Sequence, residues 1–548
     1  MQENVPESYL PDDGPQLIHP LPELHYPEEV NAATQLVDRH VEAGRGDNVA
    51  IRFGDEAITY RELRTRVNRL GNALVGQGVE PGDRVVVRFT NRPEAVVSCL
   101  AIQKVGAVAL PSMKLLRAKE LVHIINNAEA STIIVYDDLL DEIDEALPDL
   151  DTVGGDDVVV VQRNGVDHDH VDYDEVTAAA ADDLEAHPTT RDDLALMLYT
   201  SGTTGQPKGA THTHRQVLAT ADSYAKYCLN AAEDDVFGGN PPLPFAYGYG
   251  DLLTFPLRFG ATTSLVENAG PGDLLEAVEN HGITILCSIP TAFNQMLSKF
   301  PDGPEEYDVS SLRLAVSAGE PLTHSTFNRF EDAYGVKIYD GIGTTEMLHI
   351  FVSHREGEEI DPGATGYPVP GYECKVVDPD TGEELPRGEA GLLAVRGPTG
   401  ISYWDRPAKQ DAALVDGWSL PGDIYIHRED DRLEYKSRED DLIISSGYNI
   451  PGPEVEAVVE ERDEVAEVAV VGSPDEERGQ VVKAFVVTAE GAEAGEALTE
   501  TLQNHVKNTL APYKYPRAVE YVDELPRTET GKIQRVKLRE REREQYDE

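Results

Sequence analysis

The segment Tyr199-Thr200-Ser201-Gly202-Thr203-Thr204-Gly205-Gln206-Pro207-Lys208-Gly209 has the residue types needed to hold a polyphosphate. Glycine lets a backbone approach an anion closely, and successive N–H groups form a concave nest. Ser201, Thr203 and Thr204 add hydroxyl donors, and Lys208 adds a positive charge. The spacing of Gly202, Gly205 and Gly209 and the Pro207-Lys208 pair do not fit G-x-x-x-x-G-K-[ST], so this is not a Walker A loop. A second segment, Tyr339-Asp340-Gly341-Ile342-Gly343-Thr344-Thr345-Glu346, sets hydroxyls beside a carboxylate, a donor set suited to Mg2+ and phosphate oxygens. A third, Pro526–Arg535, carries Arg527, Lys532 and Arg535, with Lys532 behind Gly531. A compact cation on a glycine-containing loop can stabilise charge that develops during acyl transfer. Each segment alone also reads as something plainer: a Gly/Ser/Thr-rich linker, a strand-to-helix turn, a surface lysine.

These groups need a scaffold. The phosphate loop follows the apolar run Leu194–Leu198, expected as a buried strand. Upstream, Thr59 and Glu62 form a capping-box pattern, and Leu63, Val67, Leu70 and Leu74 recur at helical spacing, predicting a helix over 59–77. Short apolar runs at 84–89, 107–110 and 131–136 alternate with helical stretches at 93–105 and 118–128, the pattern of a parallel α/β sheet. Residues 137–190 are crowded with Asp and Glu and read as a solvated excursion with one short strand, Val158–Val161. The Asp-His-Asp-His run at 167–170 lacks metal-ligand spacing. The α/β pattern resumes over 194–370, a β-rich stretch covers 372–436, and the last ~110 residues form a domain of a size that folds alone. The expected fold is α/β: a large domain, 1–438, of mixed and parallel sheets with helices and a β-rich subdomain, and a small mobile α+β domain, 439–548.

The chain has 548 residues, with 47 Lys plus Arg against 100 Asp plus Glu, a net charge of −53. Such a balance argues against nucleic acid and anionic membranes as partners. Apolar residues make up 40%, which separates the chain from disordered acidic tails. Self-repulsion of this size is relieved by salt, so the composition reads as that of a halophile's salt-rich cytoplasm. Cys99, Cys228, Cys287 and Cys374 are far apart and read as single thiols in a reducing compartment. Neither a signal peptide nor an apolar run of ~18 residues is visible, so a cytoplasmic location is expected.

Taken in order along the chain, the motifs resemble those of the adenylate-forming superfamily of acyl- and aryl-CoA synthetases, luciferases and peptide-synthetase adenylation domains. The resemblance runs from about residue 20 to 540. It implies that Ser201, Gly202, Thr203, Thr204, Gly205 and Lys208 hold ATP phosphates, that Glu346 holds Mg2+ and that Thr345 touches the α-phosphate. Asp340 and Gly341 belong to the same nucleotide motif, with Ile342 where the family usually has an aromatic. Gly319, Glu320 and Pro321, within Ser317–Pro321, resemble the loop along the other side of adenine. Asp423 resembles the ribose-binding aspartate, although Pro421 replaces a usual threonine. Tyr435-Lys436-Ser437-Arg438-Glu439-Asp440-Asp441 resembles the hinge motif, with Ser437 for a glycine; Tyr435 and Arg438 would contact nucleotide and Asp440 would be the pivot. Ser446, Gly447 and Tyr448 resemble the coenzyme A tunnel segment, and Lys532 the catalytic lysine.

The resemblance implies two steps, acyl-adenylate formation from carboxylate and ATP and then transfer to a thiol, with the small domain swinging between them. The context Thr344–Phe351, the lead-in Leu21–Pro27 and the stretch Pro241–Phe259 resemble benzoate- and 2-aminobenzoate-CoA ligases. By that resemblance Ala246, Tyr247, Ala318, Gly343, His349 and Ile350 line the acid pocket. His349 also reads as a core histidine satisfied by backbone. The expected partners are a small carboxylic acid, ATP with Mg2+, and coenzyme A; a homodimer is an open assembly. Aliphatic acyl-CoA synthesis, loading of a carrier protein, and a nucleotide sensor without turnover are the alternatives.

Overall fold

The computed structural model describes residues 5–11, 13–200, 207–267, 269–445, 448–475, 478–489, 491–527 and 533–547. Among these, strands form sheets of nine, seven, six and five members. The seven-stranded sheet is built on valine-rich runs. Arg84–Arg88 is buried at every position and pairs in parallel with Val108–Ser112 on one side and Ala130–Tyr136 on the other. Runs buried on both faces suit the middle of a parallel sheet. The helix Tyr60–Gly76 covers this region, and the predicted capping box forms: Glu62 N–H donates to Thr59 Oγ1 at 3.2 Å and Thr59 N–H to Glu62 Oε2 at 2.8 Å. Such a cap is worth about 1 kcal/mol.

Residues 137–190 depart from the solvated excursion expected of them. Val158–Val161 is wholly buried and continues the sheet beside Ala130–Tyr136, and Val171–Asp172 adds a further strand. The four valines bury on both faces while the acidic residues fall mainly in the connections. The hairpin Leu194–Thr200 and Lys208–Thr213 closes the other edge, antiparallel, with Thr200 opposite Lys208.

In the nine-stranded sheet, Val236–Gly239, Ile285–Ser288, Leu314–Ala318 and Ile338–Gly343 run parallel, so their carboxyl ends come to one rim. That rim is where open α/β sheets bind ligands. The β-rich sheet spans Glu373–Arg438, and its hairpin Asp423–His427 with Leu433–Arg438 sets Asp423 opposite Arg438. Beyond it lies a five-stranded sheet, Leu442–Tyr521, with its own buried core of Ile443, Val455, Val470, Ala484 and Leu502. The helix Arg535–Asp547 packs there through Leu538 and through charge: Lys483 Nζ lies 2.7 Å from Glu542, and Arg535 pairs with Glu456 at 2.6 Å. Cys99, Cys228 and Cys287 are buried and Cys374 is half-buried, all as free thiols. Among the described residues no helix is long and apolar enough to cross a membrane, and no cluster of metal-ligating side chains occurs.

Candidate active site

Ser201, Gly202, Thr203, Thr204 and Gly205 lie outside the described residues, but the strands that present them do not. Lys208 opens the second strand of that hairpin. Its ammonium lies 4.5 Å over the ring of Tyr403 and donates to the Tyr403 hydroxyl at 3.2 Å. Tyr403 in turn donates to Glu346 Oε1 at 2.9 Å. The chain of contacts Lys208–Tyr403–Glu346 therefore joins two sequence motifs through a residue that belongs to neither. A bridge between Ala210 and Tyr403 fixes the register. Burial and the Glu346 carboxylate hold the Tyr403 hydroxyl well above its ordinary pKa, so it remains a donor.

Glu346 sits in the tight connection between Ile338–Gly343 and Ile350–Ser353. The turn is tied by Met347 N–H to the Thr344 carbonyl and Leu348 N–H to the Thr345 carbonyl, with His212 Nε2 2.9 Å from the latter oxygen. Gly343 is required here: a Cβ would lie 2.7 Å from the His349 carbonyl. Asp340 is enclosed at the start of this segment, and burial pushes its carboxyl up to about 7. Gly341 leaves room for Ile350, whose Cγ2 would meet a Cβ at 2.7 Å.

Asp423 and Arg438 meet as cross-strand partners, with Arg438 Nη1 3.2 Å and 3.3 Å from the two carboxylate oxygens. Burial raises the Asp423 carboxyl to about 6, opposed by Arg438. Tyr435 packs edge-on against Tyr425 at 5.5 Å. Gly319 takes φ +90° at the turn after Leu314–Ala318. The next residue, Glu320, accepts from the Thr291 N–H at 3.1 Å and the Thr291 hydroxyl at 2.8 Å, and Pro321 follows. Thr291 belongs to no motif and is not legible in the sequence.

Ala246, Ala318 and Ile350 are buried around the same rim, and Tyr247 is half-buried. The Tyr247 hydroxyl donates toward the Ser288 and Val316 carbonyls, at 2.9 and 3.0 Å, which fixes its ring. His349 lies behind, 4.5 Å from Phe255 and 5.9 Å from Tyr247 between ring centres. Among the described residues its ring nitrogens meet no hydrogen-bond partner, so the plainer expectation of a backbone-satisfied histidine is not met there. Asp251 Oδ2 is 3.7 Å from His349 Nε2, and both side chains are fully buried. Burial raises the Asp251 carboxyl, and His349 opposes the rise. Asp251 carries no motif signal; only its place one turn after Tyr247 on the helical run could have pointed to it.

On the small-domain side, Ser446, Gly447 and Lys532 fall outside the described residues, as does the side chain of Asp440. Asp441 beside it pairs with Arg539. Tyr448 is exposed and stacks on Tyr513 at 4.3 Å. Arg527 bridges antiparallel to Ile533, and Gln534 N–H donates to the Pro526 carbonyl at 2.7 Å, so the residues on either side of the segment holding Lys532 form a closed stem.

The comparisons with known proteins cover both parts of this arrangement. Residues 37–404 match the family described as AMP-binding enzyme, and residues 454–532 match the AMP-binding enzyme C-terminal domain. The benzoate–CoA ligase of Thauera aromatica is 39% identical over 94% of this chain and 97% of its own. An acetyl-coenzyme A synthetase of Bacillus subtilis (strain 168) is 31% identical over 93% of this chain and 90% of its own. The crystal structure of the anthranilate CoA ligase AuaEII in complex with anthranoyl-AMP superposes with a TM-score of 0.89 at 33% identity, covering 95% of this chain and 99% of that one. With both family matches and relatives of this identity spanning nearly the whole chain, the protein belongs to the adenylate-forming AMP-binding enzymes and is an AMP-forming acyl/aryl-CoA ligase.

Proposed function

We propose that the protein activates an aromatic carboxylic acid, benzoate or 2-aminobenzoate, as its adenylate and passes the aroyl group to coenzyme A. The observation that supports this most is the wall at the acid end of the site. Tyr247 is fixed by two carbonyls, and in this reading the small residues Ala246, Ala318 and Gly343 beside it suit a planar ring. Aromatic walls with few polar groups suit such a ligand. The likeness to ligases named for benzoate and anthranilate supports the same choice. A short aliphatic acid is the second reading, favoured by the 31% identity to an acetyl-coenzyme A synthetase.

A free carboxylate is a poor acyl donor because oxide is a poor leaving group. In the first step a carboxylate oxygen attacks the α-phosphorus of ATP and pyrophosphate leaves. In the second the thiolate of coenzyme A attacks the carbonyl carbon and AMP leaves. Little covalent chemistry falls to the protein; positioning and charge stabilisation carry the rate. In this reading Ser201, Gly202, Thr203, Thr204, Gly205 and Lys208 hold the phosphates. Tyr403 keeps Lys208 and Glu346 in one line. Thr345 touches the α-phosphate, Asp340, Gly341, Gly319, Glu320 and Pro321 flank the base, and Asp423, Tyr435 and Arg438 hold the ribose side. Ala246, Tyr247, Ala318, Gly343, His349 and Ile350 line the acid site. The oxygen-only set at Glu346 and Thr345 fits Mg2+, which takes one or two carboxylates plus substrate phosphates. When bound, that ion neutralises phosphate charge. Lys532 stabilises charge on the carboxylate and α-phosphate as the anhydride forms.

Asp440 serves as the pivot between a large domain, 1–438, and a small domain, 439–548. Ser446, Gly447 and Tyr448 form the coenzyme A tunnel face. The contact of Arg527 with Thr291 and the exposure of Tyr448 support an arrangement suited to the first step. The −53 charge and the free thiols support a salt-rich, reducing cytoplasm as the setting.

The test is release of pyrophosphate and AMP in molar KCl from benzoate, 2-aminobenzoate, phenylacetate, acetate, butyrate and octanoate, with and without coenzyme A. Coenzyme-A-dependent AMP release with the aryl acids is expected. Preference for acetate or butyrate would overturn the aryl assignment while keeping the reaction.

A further inference from the structure

We propose that Arg527 is a positioning residue that latches the lysine-bearing segment of the small domain to the nucleotide side of the large domain, through Thr291 and Glu320. This rests on the two-step reading above.

The latch is a line of four groups drawn from both domains. Glu320 follows the Gly319 turn at the carboxyl rim of the nine-stranded sheet. It accepts twice from Thr291, at 3.1 Å from the N–H and 2.8 Å from the hydroxyl. Thr291 stands in the first turn of the helix Pro290–Lys299, which starts just after the neighbouring parallel strand Ile285–Ser288. Because its hydroxyl proton is directed to Glu320, its oxygen is free to accept from another donor. Arg527 Nη1 fills that role across the domain boundary at 3.5 Å. The other end of the same guanidinium is held at 2.6 Å by Glu467, on the small-domain strand Val465–Asp475.

Two features make this contact suited to positioning. The first is rigidity toward the lysine. Arg527 is one side of the stem, bridged to Ile533, and Lys532 is the residue before Ile533. The guanidinium is planar and forked, so fixing it at Glu467 and Thr291 also fixes the direction in which the stem enters the cleft. The second is charge. Glu320 from the large domain and Glu467 from the small one bring like charges toward the same boundary, and Arg527 is a cation between them. Removing that cation leaves two carboxylates that repel, so this pose loses more than one hydrogen bond. The contact is long for a hydrogen bond, as befits a latch that must release when the small domain turns for the second step.

The two half-reactions separate the latch from a general structural role. Pyrophosphate exchange reports the first; thioester formation from synthetic aroyl-adenylate and coenzyme A reports the second. Arg527→Ala is expected to slow exchange by about tenfold or more while the second half-reaction stays within about twofold. Arg527→Lys should restore part of the loss, since it keeps the charge and gives up the fork. Thr291→Val should lower exchange in the same direction. Equal loss in both half-reactions, or loss in neither, overturns the latch. Small-angle scattering with ATP supplies a readout independent of turnover. A more extended Arg527→Ala particle supports the latch, and a curve identical to wild type overturns it. Wild-type protein that exchanges no pyrophosphate with any acid overturns the two-step reading instead, and scattering then decides the latch alone.

Discussion

The acid end of the large domain and the lysine side of the small domain hold their groups by opposite means. At the acid end the restraint is packing. His349 is wedged among Phe255, Tyr224 and Tyr247, and a Cβ on Gly250 would lie 2.2 Å from its Cδ2. Asp251 and His349 are sealed there side by side, 3.7 Å apart. On the lysine side the restraint is charge. Arg527 is held by Glu467, Arg535 by Glu456, Lys514 by Glu454 and Lys483 by Glu542, mostly at half-buried positions. Packed cores resist small changes in volume, whereas partly exposed ion pairs break and re-form at little cost. The difference suits the proposed roles, in which one region shapes the acid site and the other turns as a body.

Lys532→Ala is the most severe way to break the lysine side. Loss of one charge-stabilising group costs about 10²–10³ in rate. Pyrophosphate exchange should fall by that much, while thioester formation from synthetic aroyl-adenylate persists. Comparable loss in the second half-reaction would remove Lys532 from the first step.

Gly250→Ala tests the packed end. The added methyl overlaps the His349 ring, and overpacking of this kind costs about 1–3 kcal/mol. Aryl-acid kcat/KM should drop about tenfold, with ATP binding by calorimetry unchanged. Unaltered selectivity would show that His349 does not shape the acid site.

The pH response should come from the β-rich hairpin. Asp423 protonates at about 6, above the ordinary carboxylate value, so its acceptor form is lost as pH falls through 6. The KM for ATP should rise severalfold between about pH 7 and pH 5.5. Asp423→Asn should raise KM at neutral pH and flatten that dependence; a slope that survives would assign it elsewhere, with Asp340 at about 7 the next group to test.

Much of this was legible because motif residues are neighbours in sequence. The turn around Glu346 and the segment Tyr435–Asp441 each lie within one stretch, and the valine-rich runs announce the parallel sheet. What was not legible arises from register and from long-range contact. Asp423 and Arg438 read as two separate motifs until strand pairing set them opposite each other. Tyr403 reaches Lys208 from 195 residues away, and Thr291 reaches Arg527 across 236, with no local pattern to mark either. The strand Val158–Val161 is legible, but its place inside the sheet is hidden by the acids around it, and the helix Arg535–Asp547 is hidden by alternating charge with almost no apolar stripe. Patterns of burial are readable; patterns of charge pairing need the partner in view.

The smallest expected effect concerns the exposed face of the small domain. Tyr448 and Tyr513 are 53% and 37% exposed, yet their rings stack at 4.3 Å and 17°, and Tyr448 belongs to the segment proposed above as the coenzyme A face. Residues 507–517 carry Lys507, Lys514 and Arg517 and no acid of their own, in a chain whose net charge is −53, and Lys514 is paired with Glu454 at 2.5 Å. Lys507 lies 4.0 Å and Arg517 4.7 Å from the ring centre of Tyr515, so cations and aromatic faces are interleaved. Flat aromatic surface beside cations suits the base and phosphates of coenzyme A. Tyr513→Ala removes half of the stack and leaves Tyr448 without its support. The KM for coenzyme A should rise about threefold, since an exposed stacking contact is worth of order 1 kcal/mol, while pyrophosphate exchange is untouched. Lys514→Glu should add to that rise and make it steeper at low salt, because its effect is Coulombic. A KM for coenzyme A unchanged in both variants would mean that the charged, movable domain guides only the first step, and that the nucleotide end of coenzyme A is held by the large domain instead.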